Sequence, residues 1–126
     1  MGSHGARMVI PIDLKKKPWE QKHRLHNRWH PEIPAVAEVK VGEVFRVEMM
    51  DFTGGRITSD FSADDVKNAD PSIVHYLSGP IRVSDANGLP AHPGDLLVVE
   101  ICNLGPLPGD EWGYTATFDR ENGGDS

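Results

Sequence analysis

The sequence has a single cysteine, Cys102, and no hydrophobic run that approaches the roughly 20 residues of a membrane-spanning helix. One cysteine excludes an internal disulfide framework, so we expect a reducing compartment, the cytoplasm. Basic residues are scarce as well, 13 against 19 acidic ones, which gives a net charge of -6. Because nucleic acids and anionic membranes bind basic surfaces, we expect neither of them as a partner.

Hydrophobic residues make up only 38% of the 126 residues, which is modest for a chain that closes its own core. Glycine and proline are plentiful, with 13 and 10 residues, and they separate short apolar stretches. This arrangement is typical of turns between short strands. The strands that we predict lie at 8–12, 36–41, 44–50, 96–104 and 114–118, with another after a bend at 78–80.

One short helix is predicted, because Ser62 followed by Asp65 resembles an N-cap with an acid at the third helical position, and it should end near Asp70 and Pro71. Together these elements predict an all-β protein, a β-sandwich with one short helix. We place it in residues 8–126 and interpret residues 1–7 as a disordered lead-in outside the fold.

The chain contains one internal similarity. The stretch GEVFRVEM at 42–49 aligns with GDLLVVEI at 94–101, and each begins with a glycine and an acid before a strand. This pairing predicts two equivalent turn-and-strand units, as in a sandwich of repeated hairpins. The segment 96–104 is apolar on both faces, so we predict that it is a central strand.

Three histidines, His23, His26 and His30, have the spacing of metal ligands on a helix. Neighbouring prolines argue against a helix, so the favoured interpretation is a polar loop with hydrogen-bonded or solvent-facing imidazoles. A structural zinc site at these histidines stays open as the alternative.

Three further residues are candidates for chemistry. His75 precedes a Ser-Gly-Pro bend, where it could act as a base or simply hold a loop carbonyl. Asp51 precedes Gly54 and Gly55, a place for a ligand-binding carboxylate and also for an ordinary turn former. Glu100 shares a strand face with apolar neighbours, so it needs a functional partner or a buried ion pair.

Several well-known catalytic motifs do not occur. The sequence has no Gly-x-Ser-x-Gly elbow, no phosphate-binding glycine loop, no paired cysteine motif and no His-Glu-x-x-His. Cys102 lies in an apolar run, which favours an inert core thiol over a nucleophile. The residues by themselves therefore predict a β-rich domain with a face that carries His, Asp and Glu.

Four blocks of sequence closely resemble the acetamidase/formamidase family, nearest to its eukaryotic-type formamidases. They are HNRWHPEIP at 26–34, VHYLSGPI at 74–81, HPGDLLVVEI at 92–101 and GPLPGDEW at 105–112. Their shared order makes the resemblance specific, and it extends from about residue 8 to residue 124.

The resemblance implies hydrolysis of short aliphatic amides, formamide to formate and ammonia, by a cytoplasmic homo-oligomer with a jelly-roll-like β-sandwich. It also implies a divalent metal, zinc or calcium, which would polarise the amide carbonyl and lower the pKa of the attacking water. Matched to the family, Asp51, His75 and Glu100 are the expected catalytic residues. Asp51 and His75 are also the expected metal ligands.

The chain departs from the family in length. Family members continue with a His-Gly-Gly-Asn-x-Asp block and a Gly-Asp-x-His block followed by Gly-Asp-Gly-Glu, and none of these occurs in this sequence. We therefore interpret the chain as the N-terminal portion of a formamidase-type amidohydrolase. The alternative is a small non-catalytic β-sandwich that binds a ligand or a partner.

Overall fold

The computed structural model describes residues 5–68 and 70–116. Its strands are β1 (Arg7–Ile10), β2 (Ala37–Lys40), β3 (Phe45–Val47) and β4 (Ile81–Ser84). The described residues also form the helix α1 (Ala63–Lys67) and two single turns of 3-10 helix, Pro18–Glu20 and Pro71–Ile73. Short strands with one five-residue helix confirm the all-β class. None of the described helices is long and apolar enough to cross a membrane.

The strands form two parallel pairs. β1 pairs with β3, and Arg7 lies opposite Phe45. β2 pairs with β4 in a continuous register that runs from Ala37 opposite Ile81 to Lys40 opposite Ser84. Parallel neighbours need a crossover between them, and the long loops of this chain supply it.

A third segment, 89–91, runs along β4. The Val83 carbonyl accepts a hydrogen bond from the Ala91 N–H at 2.9 Å, while the Ser84 carbonyl accepts one from the Val41 N–H at 2.8 Å. Successive carbonyls of a strand point to opposite edges of the sheet, so β4 is hydrogen-bonded along both edges.

One small apolar core joins the two pairs of strands. Val9 and Ile10 of β1 and Val39 of β2 are buried, and Val47 of β3 and Val83 of β4 pack against them. These contacts pack the β1–β3 pair on the β2–β4 pair. A complete jelly-roll-like sandwich stays a prediction.

The internal similarity of the sequence is confirmed in the turns. In each turn the fourth residue donates its N–H to the carbonyl of the first at 3.0 Å, Glu43 to Lys40 and Asp95 to His92. The third residue is a glycine with a positive φ, 86° at Gly42 and 96° at Gly94, as a type II turn requires. In each turn the acid also accepts the first residue's N–H, at 3.3 Å and 2.8 Å respectively.

The helix α1 begins as predicted. The Asp65 carboxylate accepts a hydrogen bond from the Ser62 N–H at 2.8 Å, which satisfies a donor that the helix leaves free. The helix ends at Lys67, before the predicted boundary near Asp70. Asp70 instead caps the following 3-10 turn by accepting from Ser72.

The predicted strand at 96–104 is not part of a sheet in the described structure. Its apolar side chains are exposed, from 53% at Leu97 to 90% at Leu96. A strand that is apolar on both faces needs neighbours along its edges and layers over both faces, and the described residues provide neither. The strand predicted at 114–118 is likewise absent at 114–116, and residues 117 and 118 lie outside the described residues.

The core predicts a clear difference between two apolar substitutions. Ile10→Ala should lower the free energy of unfolding by about 2–5 kcal/mol, because Ile10 is 0% exposed and the change leaves a cavity. Val41→Ala, at a position that is 70% exposed, should change it by about 0.5 kcal/mol or less. Urea unfolding of both variants measures this, and similar losses would contradict the burial of Ile10 in the core.

The carboxylate of Glu43 should make the stability of the fold depend on pH. The hydrogen bonds that its carboxylate accepts from Arg7, and then from the Lys40 N–H, hold the pKa of Glu43 below its ordinary value of 4.5. The folded state therefore prefers the ionised carboxylate, and its stabilisation is lost as the pH falls through the lowered pKa. The melting temperature should drop between about pH 6 and about pH 3 by more in the unmodified chain than in Glu43→Gln. Equal drops would show that this carboxylate contributes nothing to folding.

Candidate functional site

A cavity of about 660 Å³ lies between the residues that follow β3 and the segment that ends the described chain. Met49, Met50 and Asp51 form one wall, and Trp112 and Tyr114 form another. An apolar cavity with a few polar groups is the usual form of a small-molecule site. Asp51, one of the three candidates from the sequence, is therefore in the cavity wall.

Aromatic rings build one side of this cavity. The ring of Tyr114 lies 4.6 Å from Phe61, 5.8 Å from Trp112 and 6.5 Å from Phe52 between centroids. Trp112 is oriented by its indole N–H, which donates to Asp110 Oδ1 at 2.7 Å. Such pairs stabilise one another by about 0.5–1.5 kcal/mol beyond the burial of their area, so the rings hold a defined surface.

Tyr114 places a polar group in these aromatic surroundings. Its hydroxyl oxygen is buried and has no hydrogen-bond partner among the described residues. Burial, and then the negative charge of Asp51, raise the pKa of Tyr114 above its ordinary value of 10.0. The hydroxyl therefore stays protonated at neutral pH and has a hydrogen bond available to donate.

The Asp51 carboxylate is fixed by the turn that it begins. Oδ2 accepts hydrogen bonds from the Thr53 N–H at 3.0 Å and from the Thr53 hydroxyl, and Oδ1 accepts one from the Gly55 N–H at 2.7 Å. Thr53 is 1% exposed, so it anchors this turn to the interior. The carboxylate holds one orientation and still has one lone pair, on Oδ1, for a ligand.

His75 contacts the turn that Asp51 begins, through Phe52, the residue after Asp51. The His75 N–H donates to the Phe52 carbonyl at 2.7 Å, and the two rings lie 5.6 Å apart. The φ of His75 is 60°, an uncommon value for a residue other than glycine. Strained backbone of this kind clusters at functional sites, which supports a role for His75.

Glu100 is not among the residues that line the cavity. It lies within the exposed segment 96–104, where its neighbours do not bury it. On the predicted strand this carboxylate would lie among apolar neighbours, and the described residues do not provide that environment. A catalytic role for Glu100 stays a prediction without a supporting contact.

The described residues offer too few side-chain ligands for the metal ion that the resemblance implies. Within residues 5–68 and 70–116 no three His, Cys, Asp or Glu side chains are placed to hold an ion. Asp51 and His75 supply two protein ligands at most, whereas a catalytic zinc site takes three. A metal centre at these two residues would therefore need further ligands.

The histidine loop follows the favoured interpretation. His26 Nδ1 accepts from the Arg28 N–H at 3.4 Å, and His30 Nδ1 accepts from the Glu32 N–H at 3.1 Å. Each of these rings thus stabilises a local turn by accepting the backbone N–H two residues later. His26 also pairs through its backbone with Leu77, which ties this loop to the segment that precedes β4.

Sequence reasoning missed the aromatic wall. The sequence pattern places Tyr114 in a final strand and Trp112 in a family block, and neither pattern marks a cavity. Both residues come together with Phe52 and Phe61 through long-range folding that no local spacing reveals. The sequence feature that could have indicated the wall is the presence of two aromatic residues within the three residues 112–114.

The turn of Asp51 can be tested through its glycine. A Cβ added at Gly54 would lie 2.8 Å from Cγ of Pro18, whereas at Gly88 nothing lies within 4 Å. Both residues have positive φ, 69° and 80°, so each alanine variant suffers similar backbone strain, about 1–2 kcal/mol. Gly54→Ala should destabilise the chain further than Gly88→Ala in chemical unfolding. Equal losses would show that Pro18 does not pack on this turn.

Comparison with known proteins agrees with the resemblance seen in the sequence. The model of the Acetamidase/Formamidase family matches residues 11–126. A formamidase of Methylophilus methylotrophus is 50% identical over 118 residues, which are 94% of this chain and 28% of that protein. An acetamidase of Mycolicibacterium smegmatis is 44% identical over 124 residues, 93% of this chain and 29% of that protein.

A solved structure agrees as well. The gamma lactamase from Delftia acidovorans superposes with a TM-score of 0.58 at 46% sequence identity, over 62% of this chain and 19% of that one. The chain thus spans less than a third of the length of each of these relatives. Since the family model covers nearly all of the sequence, the chain belongs to the Acetamidase/Formamidase family.

Proposed function

We propose that this chain forms the N-terminal part of an amidohydrolase that cleaves short aliphatic amides, formamide to formate and ammonia. The observation that carries this proposal is the 50% identity to a formamidase across 94% of the chain. The acetamidase relative supports the same reaction on a second short amide. Because the chain corresponds to only 28% of that formamidase, the activity is proposed for a protein that includes the remaining part.

Amide hydrolysis sets definite chemical demands. Water adds to the carbonyl carbon, negative charge develops on the carbonyl oxygen, and the carbon–nitrogen bond then breaks as the nitrogen gains a proton. A site for this reaction needs a hydrogen-bond donor at the oxygen and a group that transfers a proton from the water to the nitrogen.

The cavity offers groups suited to these tasks. In the proposed arrangement, the Tyr114 hydroxyl donates to the substrate carbonyl oxygen, since it is protonated and unpaired among the described residues. The fixed carboxylate of Asp51 accepts a hydrogen bond from the substrate amide N–H₂ and so orients the amide. His75 is the candidate for proton transfer; it is not itself in the cavity wall but packs on Phe52, which is.

The resemblance carries further expectations that stay predictions for the whole protein. They are zinc or calcium held in part by Asp51 and His75, a homo-oligomer, and a cytoplasmic location. A metal centre there would need ligands beyond these two side chains.

A second substrate class, cyclic amides, is favoured by the size of the cavity. A space of about 660 Å³ with aromatic walls is far larger than formamide requires. The likeness to a gamma lactamase, at 46% identity, supports the same extension. A γ-lactam contains the same amide bond, and its apolar ring would contact Trp112 and Phe52.

The test is a chimera in which this chain replaces the matched segment of the Methylophilus formamidase. We expect it to release ammonia from formamide, and to open 2-pyrrolidinone as followed by NMR if the cavity admits γ-lactams. The measurement is made with and without added zinc. A folded chimera that leaves formamide intact would contradict the proposal, whereas turnover by the isolated chain would place a complete site within it.

Asp51 and Asp85 form a matched pair for testing the site. Each carboxylate accepts hydrogen bonds from the backbone N–H groups two and four residues later, but only Asp51 lines the cavity. In the chimera, Asp51→Asn should lower kcat/KM for formamide by about 100-fold, while Asp85→Asn changes it by about 2-fold or less. Both should cost similar stability in urea unfolding. Equal effects on activity would reduce Asp51 to a turn residue.

A further inference from the structure

The longest exposed stretch that the structure describes is residues 91–106, in which no residue is buried or half-buried. It is also among the most apolar parts of the chain. Six large hydrophobic side chains in it are 53–90% exposed, namely Leu96, Leu97, Val98, Val99, Ile101 and Leu104. A continuous apolar surface of this kind marks an interaction site.

The segment that follows the Gly94 turn can be compared with the segment that follows the equivalent Gly42 turn. The Gly42 turn leads directly into β3, and the equivalent Gly94 turn leads into residues 97–99. β3 is hydrogen-bonded to β1 in a parallel pair. Residues 97–99 pair with nothing in the described part of the chain. The second unit thus has the turn and the strand sequence of the first, but no partner strand within residues 5–68 and 70–116.

The side chains of an extended segment alternate between its faces, and both faces of this one are apolar. In a β-strand Leu96 and Val98 would point to one side, and Leu97, Val99 and Ile101 would point to the other. Such a strand is stable only between neighbouring strands and with a layer over each face.

We propose that residues 96–104 form a β-strand that inserts between strands of the C-terminal part of an Acetamidase/Formamidase-family polypeptide. This is the part of each relative that the chain does not match, and it is more than two thirds of the relative's length. Strand addition of this type gains affinity from backbone hydrogen bonds and specificity from alternate side chains. The association is independent of catalysis and can exist without amide hydrolysis.

A second copy of the chain is a poorer occupant of this surface. Two copies that pair through this strand would each gain one edge, and both apolar faces would stay exposed. Each copy also carries a net charge of -6, which opposes self-association. The much longer remaining part of a family member can cover both faces.

The repeat also assigns a role to Glu100. Its equivalent in the first unit is Glu48, whose Oε1 accepts a hydrogen bond from the Ile12 N–H at 2.8 Å, just beyond the end of β1. The carboxylate thus satisfies the backbone just beyond the strand that pairs with β3. In the docked state Glu100 accepts a backbone N–H of the partner strand in the same way.

The experiment uses this chain co-expressed with the part of Methylophilus methylotrophus formamidase that the chain does not match. A tag on the chain should recover both in equal amounts, and hydrogen–deuterium exchange at 96–104 should slow by at least about 100-fold relative to the chain alone. Exchange at 96–104 that stays fast in the isolated complex would overturn the proposal. So would slow exchange within a dimer of the chain alone, which would make a second copy the occupant.

Three valine variants test the two faces. Val98→Lys and Val99→Lys place an ammonium on opposite faces of the strand, so each should weaken the complex at least tenfold. Val41→Lys is the control, at a residue that is 70% exposed in the first repeat unit, and it should leave affinity unchanged. Loss of affinity in the control, or in only one of the two strand variants, would refute a strand covered on both faces.

Two further measurements test the proposal, one on variants of Glu100 and one on full-length Methylophilus formamidase. Glu100→Ala should weaken the complex, whereas Glu100→Gln, which keeps an acceptor oxygen, should bind as the unmodified chain does. If the separate C-terminal part fails to fold, exchange is measured on full-length Methylophilus formamidase. Fast exchange there in the segment aligned with 96–104 would also refute the docked strand.

Discussion

The buried cluster of Val9, Ile10 and Val39 is the feature on which the rest of the described structure depends. It joins the β1–β3 pair to the β2–β4 pair, and each pair alone is a two-stranded sheet, which is at best marginally stable in water. Burial of these side chains holds the parallel registers in place. The loop that carries Asp51 follows β3 directly, so the position of the cavity wall also derives from this core.

Carboxylates act throughout the chain as acceptors for backbone N–H groups. Glu43 and Asp95 close the two equivalent turns, Glu48 satisfies the chain beyond β1, and Asp51 fixes its own loop. In a protein with short strands, many backbone donors lack a ladder partner and need such acceptors. The excess of acidic residues therefore has a structural explanation that is separate from any role in catalysis.

The cavity and the exposed segment 96–104 both leave groups without partners among the described residues. One side of the cavity is an aromatic wall, and the hydroxyl of its Tyr114 has no hydrogen-bond partner among the described residues. Residues 96–104 are apolar and exposed, and they pair with no strand among the described residues. The matched region is less than a third of the Methylophilus formamidase and of the Mycolicibacterium acetamidase. The proposed function and the proposed docking surface are two consequences of this relation, and they can succeed or fail separately.

The sequence by itself determined the family, the all-β class, the four strands β1 to β4, the short helix and the two equivalent turns. Those features follow from local chemistry, such as glycine at a position with positive φ or an acid that accepts a nearby N–H, and from motif order. Only the tertiary structure decided that Tyr114 meets Phe61 and that His75 meets Phe52. It also decided that 96–104 stays unpaired among the described residues, since strand pairing depends on a partner that is distant in sequence and not on the strand's own residues.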